Sequence, residues 1–164
     1  MNISFTKCAF NIRTNSDSSR DEADVIISEC MGAASAKSMI EISGKYQLTI
    51  AVYWEKSTYS NDVSVYFAEP QGVLFIGVGR VSAVVNIATK QILQINYPDL
   101  FWSWDCIGDF VLELGELECR LYTKHGKTIG SAPVDPPYDY QLSESSIEFS
   151  SIVMGKTRIA LGET

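Results

Sequence analysis

Few residues of this 164-residue chain could do chemistry. His125 is its only histidine, so a Ser-His or Cys-His pair would have to use it. It lies in the Lys-His-Gly-Lys stretch 124–127, which is typical of a solvated hairpin turn, and the neighbouring lysines disfavour an imidazolium. Because no residue nearby marks a nucleophile, we expect His125 to be a turn residue without a catalytic role.

Paired carboxylates are another route to catalysis. Glu113, Glu116 and Glu118 are close in sequence, and glycosidase-type hydrolysis needs only two carboxylates. Within one strand, however, Glu116 and Glu118 would point the same way simply because side chains alternate. A small carboxylate-dependent hydrolase therefore stays an alternative, while we expect the chain not to be an enzyme.

Phosphate-binding and metal-binding motifs are incomplete in this sequence. The Gly-Lys-Thr stretches at 126–128 and 155–157 resemble the end of a phosphate-binding loop, but Leu121 and Ser150 stand where that loop needs its first glycine. The four cysteines contain no C-x-x-C pair. We therefore expect no cofactor and no metal.

The cysteines also bear on the cellular compartment. We predict that Cys8, Cys30, Cys106 and Cys119 are reduced core thiols, because free cysteine is among the most buried residue types. Reduced thiols fit a cytoplasmic protein. Residues 1–13 have neither a basic segment nor a continuous apolar one, so they predict no signal peptide.

The charge balance restricts the partners. The chain has 13 Lys and Arg against 20 Asp and Glu, which gives a net charge of −7 at pH 7. This excess of acid disfavours nucleic acid and anionic membranes and favours a basic protein partner. Length and a mean hydropathy of +0.03 are those of a globular chain, so we expect a single domain over 1–164.

The N-terminal part, 1–35, is predicted to contain a strand and one amphipathic helix. Ser19 and Glu22 form a capping-box pattern, and an apolar stripe follows at helical spacing. The β-branched run 25–27 argues against a helix. The stripe consists of Ala23, Ile26, Ile27, Cys30, Met31 and Ala34.

From residue 36 onward the pattern changes to alternation and to β-branched and aromatic residues. The stretches that begin at Val73, Phe110 and Ile147 recur every 37 residues without a gap. The region 36–164 is therefore predicted to be a series of β-hairpin repeats of period 37. The predicted fold class is mainly β, either all-β or a β-rich α+β fold with one N-terminal helix.

The repeat from Val73 to Ile95 resembles the blade hairpin of quinoprotein-type or WD-type propellers. This resemblance covers about half the chain, and the chain has no Trp-Asp or Gly-His pair at the blade positions. It implies propeller-like hairpins, which we expect to pack as a sandwich or an open barrel.

Two windows, 91–119 and 128–155, contain acids and no Lys or Arg. Each includes a linker between repeats, 97–105 or 134–142, that is rich in aromatic residues and proline. Large aromatics ringed by like charges are typical of interface hot spots. Because the two linkers are one repeat apart, we expect them to lie at the same end of the sheets. The predicted partner-binding residues are Tyr97, Asp99, Phe101, Trp102, Trp104, Asp105, Asp109, Asp135, Tyr138, Asp139 and Tyr140.

Some of these aromatic residues have a second interpretation. Phe101 and Trp104 could fold inward and close the end of the barrel. The carboxylates are expected outside, because unpaired acids are rarely buried. Exposure of the two rings distinguishes the interpretations.

A small acidic β protein with a face of acids and aromatics resembles, by type and not by motif, the immunity proteins that bacteria make against their own toxins. These include the immunity proteins of contact-dependent growth inhibition systems. The resemblance implies binding of a basic toxin domain, such as a nuclease, and neutralisation by occlusion. The alternatives are a propeller-like structural or adaptor module and the carboxylate-dependent hydrolase.

Overall fold

The computed structural model describes residues 2–4, 8–15, 22–29, 34–57 and 62–161. Within this part the chain is mainly β, as predicted, with 16 strands in four sheets and one short 3-10 turn at Glu69–Gln71. The first sheet has the order β1-β2-β4-β5-β3. Its strands are β1 (Asn2–Ser4), β2 (Cys8–Asn15), β3 (Val25–Ser28), β4 (Ala36–Gly44) and β5 (Leu48–Trp54).

The predicted N-terminal helix is wrong in the segment that forms β3. This strand pairs in parallel with β5, so that Val25 lies opposite Ile50. Other residues of the predicted helix, 19–21 and 30–33, lie outside the described residues.

The β-branched run explains why β3 is a strand. Val25 and Ile27 are buried, whereas Ile26 is 54% exposed, so the side chains alternate with period two. β-Branched side chains have few rotamers in a helix and pack well on a pleated surface. This preference prevailed over the capping-box pattern of Ser19 and Glu22, which indicated a helix.

The remaining three sheets are antiparallel meanders of consecutive strands. The second contains β6 (Ser64–Ala68), β7 (Val73–Val78), β8 (Val81–Asn86) and β9 (Gln91–Asn96). The third contains β10 (Phe101–Ile107), β11 (Phe110–Gly115), β12 (Glu118–Thr123) and β13 (Thr128–Pro133). The fourth contains β14 (Tyr138–Leu142), β15 (Ser146–Ser151) and β16 (Gly155–Ala160). Their first strands begin at residues 64, 101 and 138, which are 37 residues apart.

Each pair of neighbouring sheets encloses its own hydrophobic core. Strands of the second and third sheets are therefore buried on both faces. In β7, Leu74 and Ile76 pack against the first sheet, whereas Phe75 faces the third. In β11, Val111 belongs to the core between the second and third sheets, and Leu112 to the core between the third and fourth. A continuous apolar run such as 73–78 is the expected sequence of a strand covered on both sides.

The meanders have two distinct ends. One end, which we call the linker end, holds the linkers 97–100 and 134–137 together with the β7–β8, β11–β12 and β15–β16 turns. The linkers are shorter than the predicted 97–105 and 134–142, because β10 and β14 begin inside those ranges. The opposite end, the turn end, holds the remaining turns of the three meanders.

Candidate functional site

Turns and linkers form one continuous row across the linker end. The N–H of Phe101 donates to the carbonyl of Gly79 at 2.7 Å, and the N–H of Glu116 donates to the carbonyl of Leu100 at 2.9 Å. The N–H of Val134 then donates to the carbonyl of Leu117 at 3.0 Å. Each turn of one meander is therefore fixed to the linker that begins the next. The two predicted linkers do lie at the same end.

The last turn of the row is held by a carboxylate. Asp135 accepts hydrogen bonds from the backbone N–H of Met154 at 2.7 Å and of Val153 at 3.2 Å. A hydrogen bond from Ser151, followed by these backbone bonds, lowers the pKa of Asp135. This predicted partner-binding residue therefore also orders the β15–β16 turn.

Acidic residues surround a depression of about 210 Å³ in the row. Arg80 is the single basic residue among those that line it, and its guanidinium lies 4.0 Å from Asp99. The lining residues are Glu55, Ser57, Gly79, Arg80, Asp99, Leu100 and Glu116. Three carboxylates against one guanidinium leave this part of the surface negative.

A further carboxylate, that of Glu29, holds the backbone of two residues that line this depression. Glu29 accepts the backbone N–H of Arg80 at 2.8 Å and that of Glu55 at 3.0 Å, and so joins the first sheet to the β7–β8 turn. Gly79 has a φ of +54°, and a Cβ there would lie 2.6 Å from Glu29 Oε1. Glycine is required at this position both for its backbone conformation and for the close approach of the carboxylate.

Exposed apolar side chains lie in the same row. Ile152, Val153 and Met154 are 79%, 83% and 50% exposed, and Leu117 is 46% exposed. Tyr97, from the first linker, is half exposed. We use the name linker-end surface for the following set: Glu55, Arg80, Tyr97, Asp99, Glu116, Leu117, Ile152, Val153 and Met154.

Residues 152–154 form the β15–β16 turn, which we call the apolar turn. The sequence interpretation missed it because it placed Ile152 and Val153 in a strand. The strand β15 ends at Ser151. The 37-residue register could have indicated this turn, because it aligns Val153 and Met154 with Glu116 and Leu117 of the preceding β11–β12 turn.

Of the predicted aromatic residues, Phe101 is buried and Trp104 is partly buried. Phe101 is 0% exposed, and its ring packs on Trp104 with centroids 5.2 Å apart. Trp104 also contacts Phe75 and Tyr122 edge-on, at 5.4 Å and 6.0 Å between centroids. The two rings therefore fold inward, as the second interpretation expected, but they pack between the second and third sheets and do not close a barrel end.

Other predicted aromatic residues join the third and fourth sheets. Trp102 of β10 stacks on Tyr138 of β14, and the Tyr138 hydroxyl donates to the carbonyl of Gly115 at 2.8 Å. The Tyr140 hydroxyl donates to the Asp105 carboxylate. Burial and this bond raise the pKa of Tyr140 to about 12. Trp102, Tyr138, Asp105 and Tyr140 thus contribute to packing between sheets.

The last two predicted acids are solvent-exposed. Asp139 lies on β14. Asp109 lies at the turn end, 3.8 Å from the ammonium group of Lys124, with its side chain 98% exposed. Asp109 is therefore separated from the linker-end surface by the length of the strands.

Glu113 is buried in a polar cluster between the second and third sheets. Its carboxylate accepts a hydrogen bond of 2.6 Å from the Tyr122 hydroxyl, which in turn accepts one from Asn96. Burial raises the pKa of Glu113, and hydrogen bonding and the charge of Arg120 oppose this shift. Ser82 Oγ has no hydrogen-bond partner of ordinary geometry. It still lies close enough to the Glu113 carboxyl to help lower the pKa of that group.

The three carboxylates considered for hydrolysis have different surroundings. Glu113 is only 3% exposed, Glu116 lines the linker-end depression, and Glu118 forms an ion pair with Arg120. The expectation that Glu116 and Glu118 share a strand is wrong, because Glu116 lies in the β11–β12 turn and Glu118 begins β12.

The cysteine prediction needs a correction. Cys8 and Cys119 are buried free thiols, as expected, but Cys106 is exposed and accepts a hydrogen bond from the Tyr66 hydroxyl. Cys30 lies outside the described residues. Among the residues described, no group of three or more His, Cys, Asp or Glu side chains could hold a metal ion. No helix in that part of the chain is long and apolar enough to cross a membrane.

Comparison with known proteins assigns no family to the chain. No protein-family model matches it, and no curated protein matches it either. Its function is therefore inferred from the arrangement of its own residues.

Proposed function

We propose that the chain is a non-catalytic binding protein that docks a basic protein on its linker-end surface. The observation that carries this proposal is the hydrogen-bonded row of turns and linkers, which brings acids from turns and a linker beside exposed apolar side chains. Glu55, Asp99 and Glu116 come from separate segments and share one depression with a single base. Such a charge pattern steers a basic partner during encounter.

The apolar turn supplies the buried area that charges alone do not. Ile152 and Val153 project from a turn whose backbone is held by Asp135. An ordered turn loses little conformational freedom when it binds, so its apolar contacts contribute more fully to affinity. Three consecutive exposed apolar residues in an otherwise acidic surface are typical of an interaction site.

The specific role we propose is that of an immunity protein which neutralises a basic toxin domain, such as a nuclease, in the cytoplasm. A net charge of −7 and an acidic docking surface support a basic target. The mechanism is occlusion: the bound chain covers the active site of the toxin, and no bond is made or broken.

A propeller-like structural or adaptor module is the second candidate. It is favoured by the 37-residue period and by the face-to-face packing of successive meanders, since both are features of propeller blades. An adaptor would bind its partner without abolishing that partner's activity.

Binding to the product of the neighbouring reading frame tests the proposal. We expect a basic C-terminal domain encoded there to form a stable complex with the chain and to lose its toxic activity. Binding without loss of activity would favour the adaptor. Absence of binding, or a neighbouring product without a basic domain, would contradict the immunity role.

A further inference from the structure

The first sheet ends in an open edge at β3. Among the described residues, no strand pairs with the side of β3 that faces away from β5. The N–H of Glu29 donates to the carbonyl of Tyr53 in β5 at 3.0 Å. Alternate residues of a strand bond to the same neighbour, so Ile27 also bonds to β5, whereas the backbone groups of Ile26 and Ser28 point to the open edge.

Both faces of this edge are apolar. β3 contacts β8 and β9 of the second sheet, and the Lys90 ammonium lies 2.6 Å from Asp24. Ile95 lies opposite Ala83, whose side chain belongs to the core shared with the first sheet, so Ile95 points to that side as well. Ile92 also lies opposite a residue of that core.

The side chains along the edge are incompletely covered. Ile92 and Ile95 are 38% and 37% exposed, so β3 covers them only in part. Ile26, on the opposite face of β3, is 54% exposed. A strand added beside β3 would therefore contact apolar side chains on both of its faces. We use the name β3 edge for Ile26, Ser28, Ile92 and Ile95.

The outer strands of the other three sheets carry features that hinder strand addition. The register of β9 shifts at Leu93, β13 contains a similar shift and ends at Pro133, and β16 carries the exposed Lys156 and Arg158. Bulges, prolines and charges are the devices by which proteins protect sheet edges. β3, with the sequence Val-Ile-Ile-Ser and a regular register, has none of them.

The β3 edge is continuous with the linker-end surface. Glu29, directly after β3, accepts the backbone N–H of Arg80 at 2.8 Å, and β9 leads into Tyr97. A protein bound at the linker end can therefore reach the β3 edge with a short extended segment. Two copies of this chain, each with a net charge of −7, repel one another, which favours a basic partner over a second copy.

We propose that a segment of the basic partner, with a short run of apolar residues, adds to the first sheet as a strand beside β3. The inference rests on the proposed function, because it assigns the strand to the partner that docks on the linker-end surface. The backbone of the segment bonds to Ile26 and Ser28, and its side chains alternately cover Ile26 on one face and Ile92 and Ile95 on the other. In this mode the main-chain hydrogen bonds supply affinity and the side-chain contacts supply specificity.

Hydrogen exchange of single backbone amides tests the strand. The full chain is measured by NMR, alone and bound to the basic domain encoded by the neighbouring reading frame. We expect exchange of the Ile26 and Ser28 amides to slow at least about tenfold in the complex, because each gains a hydrogen bond. The Ile27 amide, which is already bonded to β5, is the control and should change much less.

The outcomes of this experiment separate the two proposals. If the domain binds but the Ile26 and Ser28 amides exchange as in the free chain, strand addition is wrong and docking at the linker end is unaffected. If the domain does not bind, both proposals are wrong. If the two amides become protected in the chain alone as its concentration rises, β3 pairs with a second copy, and the assignment to the partner is wrong.

A proline at the edge gives an independent measurement. Ser28→Pro removes an N–H that points to the open edge, so affinity for the basic domain should fall about tenfold while the melting temperature stays near that of wild type. Ala160→Pro is the matched control in β16. The N–H of Leu161 donates to the carbonyl of Ser145 at 2.8 Å, so the N–H of Ala160 points away from β15. Ala160→Pro should keep wild-type affinity, and equal affinities of the two variants would overturn the assignment.

Discussion

Trp102 stacks in parallel on Tyr138, with ring centroids 5.3 Å apart and planes 2° from parallel. The first residue belongs to β10 and the second to β14, so the stack connects the first strands of two successive meanders. Tyr138 is itself anchored by its hydrogen bond to the carbonyl of Gly115. The pair therefore serves the packing between the third and fourth sheets.

We predict that Trp102→Ala lowers the free energy of unfolding by about 2 kcal/mol, since a partly buried ring and its stacking contact are lost. Trp102→Phe should retain most of the stability, because a ring still covers Tyr138. Urea denaturation of both variants measures the difference. Wild-type stability in Trp102→Ala, combined with faster dissociation of a bound partner, would instead make Trp102 an interface hot spot.

Gly77 creates the space for Phe101 between the second and third sheets. A methyl group at Gly77 would overlap the Phe101 ring, which is fully buried. We expect Gly77→Ala to lower the free energy of unfolding by about 2 kcal/mol through overpacking. The double variant Gly77→Ala with Phe101→Leu should lose less stability than the sum of the two single variants, because the smaller side chain makes room for the methyl group. Additive losses in thermal melts would show that these two positions do not compete for space.

The buried Glu113 should make stability depend on pH. Because its pKa is raised in the folded protein, the folded state binds the proton more tightly than the unfolded state. The Glu113 carboxyl therefore destabilises the folded protein increasingly as the pH rises from its unfolded-state pKa to its folded-state pKa. Above both pKa values the destabilisation is complete.

We predict that Glu113→Gln stabilises the protein at neutral pH relative to wild type, and that this gain disappears at pH values below the unfolded pKa of glutamate. Urea denaturation across that pH range gives the difference. Glu148→Gln, at an exposed position of β15, is the matched control and should show no such trend. A gain that is constant with pH would mean that ionisation of Glu113 is not its cause.

Asp135 should control the order of the apolar turn. Its pKa is lowered, so the carboxylate holds the turn above that pKa and releases it as the pH falls through it. In Asp135→Ala, hydrogen exchange at the Met154 amide should become faster, while exchange at amides in the centre of β11 is unchanged. Protection of Met154 equal to that of wild type would show that the turn is ordered by other contacts.

The strands of the three meanders could be predicted from sequence because their signals are local. Alternation, β-branched residues and apolar runs such as 73–78 reflect the pleat and the burial of each strand. The period of 37 residues could be read from the same signals, since each meander repeats them. The strand β3 could not be predicted from local signals alone, because the β-branched run 25–27 favours a strand, whereas the capping-box pattern at Ser19 and the apolar stripe after it favour a helix.

The candidate site was less predictable because it depends on contacts between distant segments. Nothing local shows that Glu29 lies beneath Gly79, or that Gln71 and Glu144 line one cavity. Exposure is also decided by neighbouring sheets: Phe101 follows a proline-containing linker and looks like a loop aromatic, yet Gly77 of the preceding meander admits it to the core. Of the five acids predicted to bind a partner, Asp99 alone lines the acidic depression.

The most direct test of the docking surface is the association rate of two charge-reversed variants with the basic partner domain. Asp99→Lys with Glu116→Lys changes the linker end, and Asp109→Lys with Glu144→Lys makes the same change in net charge at the turn end. We predict that the linker-end pair lowers the association rate constant about tenfold and weakens its dependence on salt, because local steering is lost. The turn-end pair should lower it much less, and thermal melts should show both variants folded. A larger loss in the turn-end pair, or equal losses in both, would contradict binding at the linker end.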